Sequence, residues 1–412
     1  MMSFGGFVLA ATLYVSLVIV FISMGIYLIS FRFRSQQNQM LYYPEMPPES
    51  REICEDPVAL GMPNSERVTV LTADKVRLRG FMLWPSAASH GQKASSADSN
   101  SSLTSALSQT AGAPGQVSVP IPGGGSGALD SSDELSPPSV TAANSRERSD
   151  GAGACAVHPA APSSGTAPPF VLLYFHGNAG NVGHRLSLAQ AFVLHLRCAV
   201  MMVDYRGFGL SDDVEPIQDG LELDAQACFD HLWQNYRVPR DRIVVMGTSL
   251  GGAVAIHLAA NEKYARRIQA VIVENTFTSV GDMASALGRP ILARLVSRCP
   301  GLAMGVFEYY IKPLALRIGW HSIRKVRQVA APMLFLSGGQ DELVPPEQMR
   351  GLYKEATKCL RDGDNGELTV PLRRFQGFEH GMHNNLPLMP GYMNVIQRFL
   401  ADVNQGSSSG VI

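Results

Sequence analysis

Hydrophobic and polar positions divide the chain into stretches of different character. The first, 4–31, holds no charged residue and is rich in Val, Leu, Ile and Phe. Crossing a bilayer takes about 20 such residues, so this run can span one with some tilt. A cleaved leader would have a basic start and a shorter apolar core. This start has no Lys or Arg, so 4–31 is read as a retained single-pass transmembrane anchor. Arg32 and Arg34 follow directly, with no basic residue before the span. The positive-inside rule then places the remainder of the chain in the cytosol. Residues 32–63 form a polar connector punctuated by proline, in which Met40–Pro44 is expected to pack on the next domain or at the membrane surface.

From residue 64 the pattern is that of a folded domain running to 403. Residues 67–71 and 76–84 alternate apolar and polar with 72–75 as a turn, which predicts an antiparallel hairpin. From 170 onward, short continuous apolar runs recur at 170–175, 199–204, 243–247, 270–274 and 333–337. Runs without alternation are expected of parallel strands covered on both faces. A sixth run, 369–375, contains Pro371 and is expected at the sheet edge. Helical patterns separate the runs at 183–197, 219–237, 249–260 and 346–359, and another follows at 390–403. This alternation predicts an α/β class, a mostly parallel sheet with helices on both faces. Residues 276–331 interrupt the rhythm for longer than an ordinary connection and are read as a helical cap. Residues 86–169 are dominated by Ser, Ala, Gly and Pro, so they predict a disordered insertion inside one domain. A disordered tail is expected at 404–412.

Composition adds limits. The 412 residues are 46% hydrophobic, enough for a large core, and the net charge of −1 gives no general attraction to nucleic acid. The six cysteines are scattered, without metal-ligand or C-x-x-C spacing.

The chemistry centres on Gly247-Thr248-Ser249-Leu250-Gly251, a G-x-S-x-G pattern between a predicted strand and a predicted helix. A serine on such an elbow presents its hydroxyl at the carboxyl end of the sheet, and the glycines let strand and helix approach. Ser249 is therefore the candidate nucleophile, and it needs a base and a group to orient that base. His176, His380 and His383 compete as base. A late histidine fits the order serine, acid, histidine, and His383 is preferred because it lies further into the loop beyond the last strand. Asp341, just past the strand at 333–337, is the candidate acid, with Glu342 and Glu274 as alternatives. The loop His176-Gly177-Asn178-Ala179-Gly180-Asn181 follows a strand directly, so the amides of Asn178 and Leu250 are nominated as an oxyanion hole. The loop lacks both G-x-G-x-x-G and a P-loop lysine, and the His380/His383 pair lacks a third ligand, so no cofactor and no metal are expected. Asp204 and Arg206 are expected to hold loops by hydrogen bonds.

Taken together, the loop 176–181, Asp204-Tyr205-Arg206-Gly207-Phe208-Gly209, the elbow, Glu274-Asn275-Thr276, Gly339-Gln340-Asp341-Glu342 and Gly381-Met382-His383-Asn384 appear in order. In that arrangement the chain resembles the membrane-anchored α/β hydrolases related to alpha/beta hydrolase domain-containing protein thirteen. The resemblance runs from Phe31 to about Leu400, apart from the insertion. It implies the α/β-hydrolase fold, a triad of Ser249, Asp341 and His383, and an amino-terminal anchor. Protein depalmitoylases among more distant relatives make a thioester substrate part of that expectation. One departure is Asn385, where the family has aspartate after His-Asn. The expected activity is hydrolysis of an ester or thioester of an apolar acyl group, on a lipid or an acylated protein at the bilayer. The alternatives are a non-catalytic membrane scaffold and a peptidase or small-ester hydrolase.

Overall fold

The computed structural model describes residues 4–32, 34–86, 168–295, 300–316, 319–358, 360–361, 368–369 and 371–408. Two helices come first, α1 (Phe4–Arg32) and α2 (Arg34–Leu41), then the hairpin β1 (Ser65–Leu71) and β2 (Arg77–Leu83). The α/β succession follows as β3 (Val171–Phe175), α3 (Leu186–Leu196), β4 (Ala199–Val203), α4 (Gln218–Gln234), β5 (Ile243–Thr248), α5 (Leu250–Ala260) and β6 (Ala270–Glu274). Next come α6 (Val280–Leu295), α7 (Pro300–Val306), a π-helical turn (Phe307–Ile311), α8 (Lys312–Ala315) and α9 (Ser322–Lys325). The chain then forms β7 (Met333–Gly338), α10 (Pro346–Ala356), β8 (Leu360–Arg361), β9 (Leu368–Thr369), β10 (Arg373–Phe378) and α11 (Tyr392–Ser408).

One eight-stranded sheet runs β1-β2-β4-β3-β5-β6-β7-β10. The pairs β1–β2 and β2–β4 are antiparallel, and every other neighbour is parallel. The apolar runs form its centre because both faces are covered: β3, β4, β6 and β7 are buried at every residue. Successive side chains go to opposite layers. Leu173, Val245, Val271 and Phe335 pack in one core, and Leu172, Val244, Ile272 and Leu334 in the other. Helix α5 is buried at all eleven of its residues.

Three sequence expectations shift. The edge strand is Arg373–Phe378, not 369–375. Pro371 precedes it, Met333 N donates to Leu372 O at 2.8 Å, and the pairing starts at Arg373 with Met333. Thr369 belongs instead to the two-residue ribbon β8–β9. The last helix continues to Ser408 rather than ending before a tail at 404, with Val403 buried and Gln269 Nε2 donating to Asn404 Oδ1 at 2.8 Å. Within the predicted cap, residues 320–331 belong to the layer flanking the sheet. Trp320, Val326 and Val329 are buried in the same core as α5, and the Trp320 ring lies 5.0 Å from that of His257. Apart from its ends, the predicted insertion at 86–169 lies outside the described residues.

The connector packs on the domain. Tyr42 is buried, its hydroxyl accepts from Trp320 Nε1 at 2.9 Å, and Tyr43 bridges to Ala179. Within α1, the stretch Thr12–Ile29 has a mean hydropathy of 2.3 and is not buried by the protein, so the helix is long and apolar enough to cross a membrane.

Candidate active site

Ser249 stands between β5 and α5 at φ 55° and ψ −118°, a conformation that non-glycine residues rarely adopt and that costs on the order of 1–3 kcal/mol. The surrounding contacts hold it there. Its N–H donates to Glu274 O at 2.8 Å, and its carbonyl accepts from Gly252 N at 3.0 Å and from Thr276 Oγ1 at 2.7 Å. The flanking glycines are required by close backbone contact. A Cβ on Gly247 would lie 2.0 Å from Gly251 O, and one on Gly251 would lie 2.0 Å from Phe175 O. The serine is half-buried.

His383 and Asp341 meet. The imidazole Nδ1 lies 2.8 Å from Asp341 Oδ2 and 3.0 Å from Oδ1, and both side chains are buried. With Nδ1–H donating to the carboxylate, Nε2 is left with the lone pair. Asp341 Oδ1 also accepts from the N–H groups of Leu343 and Val344, at 2.9 and 2.8 Å, so the loop fixes the carboxylate before it meets the histidine. The other candidates lie elsewhere. Glu342 and His380 are exposed, and His380 faces Gln340. His176 is fully buried against Tyr205 and Phe208, its Nδ1–H donates to Gly177 O, and burial pushes its pKa down to about 3.

Sequence reasoning missed the part played by Glu274-Asn275-Thr276, three consecutive residues at the end of β6. Glu274 O and Thr276 Oγ1 hold the Ser249 backbone. Asn275 Nδ2 donates to Met382 O at 3.1 Å and His383 O at 3.0 Å, while its Oδ1 accepts from Gly338 N at 2.8 Å. One tripeptide thus grips the backbone of the serine and that of the histidine. Asn275 has φ 43°, in the left-handed region that asparagine tolerates. The Glu274 carboxyl, an alternative acid by sequence, is instead bonded by Tyr392 Oη and Thr248 Oγ1. Burial raises its pKa to about 7. Asn385 Oδ1 accepts from Met382 N at 2.6 Å, a bond that a carboxylate there would also make.

The loop after β3 closes the near side. Gly177 is close enough to Ser249 that a Cβ on it would stand 3.7 Å from the serine's Cβ. The connector clamps this loop. Asn178 Nδ2 donates to Leu41 O and Tyr43 N donates to Asn178 O, both at 2.9 Å, and Asn181 Nδ2 reaches the carbonyls of Ser50 and Ile53. Leu250 is the first residue of α5, so its N–H belongs to the helix N-terminal set without intrahelical partners. Asp204 and Arg206 hold loops, as expected: Asp204 Oδ1 accepts from Val182 N, and Arg206 is held between Asp74 and Asp224. Among the described residues, no three His, Cys, Asp or Glu side chains gather as a metal site.

This sheet order, with a strained serine between β5 and α5 and a paired Asp and His on later loops, defines an α/β hydrolase. The chain belongs to the family of α/β-hydrolase domain proteins. The Hydrolase_4 family model, "Serine aminopeptidase, S33", matches residues 166–312. Protein bem46 of Schizosaccharomyces pombe is 38% identical over 245 residues, 58% of this chain and 70% of that one. An uncharacterized membrane protein of Saccharomyces cerevisiae is 31% identical over 229 residues, covering 55% and 68%. Lysophosphatidylserine lipase ABHD12 of Macaca fascicularis is 28% identical over 240 residues, covering 56% and 55%. In fold, the chain is similar to a Pyrococcus furiosus esterase, with a TM-score of 0.50 and 16% identity over 88% of this chain and 98% of that one.

Proposed function

We propose that this hydrolase, in the branch related to protein thirteen, is a membrane-anchored serine hydrolase that cleaves an ester or thioester of an apolar acyl group. The observation that carries the reading is that the end of β6 holds both the backbone of Ser249, at φ 55° on the elbow, and that of His383, which is paired with buried Asp341. In this mechanism Ser249 Oγ attacks the acyl carbonyl while His383 Nε2 takes its proton. Asp341 keeps Nδ1–H in place and stabilises the imidazolium. His383 then returns the proton to the leaving alkoxide or thiolate, the acyl-serine is hydrolysed by water through the same base, and Ser249 is restored. The amides of Asn178 and Leu250 take up the oxyanion, an effect worth about 3–4 kcal/mol per donor.

The α1 helix is the proposed anchor, and Arg32 and Arg34 favour a cytosolic catalytic domain. An anchored site meets lipids and acylated proteins at high local concentration, and the similarity to a lipase favours such substrates. The family description as a serine aminopeptidase favours a second reading, peptide hydrolysis, by the same three residues. A fluorophosphonate probe on wild type and Ser249→Ala tests the mechanism, with labelling expected only in wild type. Equal labelling of the two would remove Ser249 as nucleophile. A panel of acyl esters, acyl thioesters and aminoacyl amides separates the readings, and cleavage of the amides alone would establish the peptidase.

A further inference from the structure

We propose that the cap segment 300–315 is seated in the acyl layer of the same bilayer that α1 crosses, so that the hydrolase holds the membrane by two elements. The inference rests on the reading of α1 as a span. The cap touches α1 within its apolar stretch: the Tyr310 hydroxyl donates to Ile19 O at 3.2 Å and is hydrogen-bonded to the Ser23 hydroxyl. That stretch ends at Ile29. At 1.5 Å per residue, Ser23 and Ile19 lie about 9 and 15 Å inside its carboxyl end. If α1 lies in lipid, the turn that carries Tyr310 is drawn below the surface with it.

The composition of the segment fits that depth. On the outer side of the turn Val306 is 46% exposed, Tyr309 88% and Ile311 37%. Apolar and aromatic groups so exposed beside an apolar span continue its lipid-facing surface. The charges within 300–315 are those of Glu308 and Lys312, and they pair with each other one helical turn apart. Lys312 Nζ also donates to Ser285 Oγ at 3.0 Å and lies 3.8 Å from Asp282 Oδ1. A paired and hydrogen-bonded charge is the form in which ionic groups are tolerated at membrane depth. The polar groups of Ser23 and Tyr310 satisfy each other and a backbone carbonyl, as groups removed from water require.

The test uses the full chain in phosphatidylcholine vesicles containing a small fraction of phosphatidylcholine with a diazirine on its acyl chain. After photolysis, adducts are mapped by mass spectrometry. Adducts on both 12–29 and 300–315 are expected, and Tyr309→Asp is expected to lower the yield on 300–315 about fivefold relative to 12–29. Adducts on 12–29 alone would overturn the inference while leaving the anchor in place. Adducts on neither would overturn the anchor reading and this inference with it. Adducts on 300–315 alone would also overturn it, since the depth is measured from α1. An unchanged yield in Tyr309→Asp would show that the exposed face of the turn is not the lipid contact.

Discussion

The carboxamide of Asn275 holds the backbone of His383, with Nδ2 donating to its carbonyl at 3.0 Å, although 108 residues separate them. The same side chain accepts from Gly338 N, so it ties the carboxyl end of β6 to that of β7 and to the histidine loop. Replacing Asn275 by alanine leaves the buried Gly338 N–H without this acceptor and puts alanine at φ 43°. The expected cost is about 2–3 kcal/mol of stability. With His383 as the proposed base, loosening it should slow fluorophosphonate labelling of Ser249 about tenfold, measured well below the unfolding midpoint. Unchanged labelling in a destabilised protein would make Asn275 a purely structural tie.

Asp341→Asn separates chemistry from folding. An asparagine Oδ1 can still accept from the N–H groups of Leu343 and Val344, so the loop should persist. Its amide would donate to His383 Nδ1 and move the imidazole proton to Nε2, removing the lone pair that the proposed mechanism uses to take the Ser249 proton. Ester turnover should fall about a thousandfold or more with little change in thermal midpoint. Activity near that of wild type would return the orienting role to another carboxylate, and Glu274 would be the first to examine.

Backbone strain at Ser249 gives a stability signature that does not depend on substrate. Alanine retains a Cβ at φ 55°, whereas glycine adopts that angle without cost. Ser249→Gly should therefore be about 1–2 kcal/mol more stable than Ser249→Ala, with both inactive. Thermal unfolding of the pair measures the difference, and a higher midpoint for Ser249→Ala would show that the elbow carries no strain beyond the extra chain entropy that glycine loses on folding.

Local patterns made much of this site legible. The elbow declares itself through Gly247 and Gly251, because only glycine permits the backbone approaches seen there. The central strands were readable as continuous apolar runs because both faces are covered. The start of the edge strand is not legible locally, because Leu368, Thr369 and Leu372 are strand-like residues on either side of Pro371. What fixes its start is the pairing of Arg373 with Met333, a partner 40 residues away in sequence. Asn275 carries no local mark of its task, since its contacts come from loops that meet only in the folded sheet. Tyr42 was ambiguous for the same reason: its partner, Trp320, lies in a segment whose role was visible only as an interruption of the strand–helix rhythm. In the sequence, His383 is separated from His380 only by loop position and family resemblance. The physical distinction is burial, with His383 against Asp341 and His380 in solvent.

The Glu274 carboxyl supplies a pH signature. Burial raises its pKa from 4.5 to about 7 in the folded chain, despite its bond from Tyr392. Between those values the folded state holds a proton that the unfolded state has released, so stability falls as pH rises. This contribution is fully present below about 4.5 and lost as pH passes about 7. Glu274→Gln keeps an oxygen for the Tyr392 hydroxyl and has no charge to bury. Relative to wild type, the variant should gain at most about 3 kcal/mol between pH 5 and pH 8. That gain corresponds to a relative rise in thermal midpoint of roughly 5 °C or more. Because His176 has a depressed pKa and pulls the other way below pH 6.5, the comparison has to be made between the two proteins at each pH. A difference that stays constant from pH 5 to pH 8, or shrinks, would mean that Glu274 is ionised throughout and that its bonds outweigh its burial.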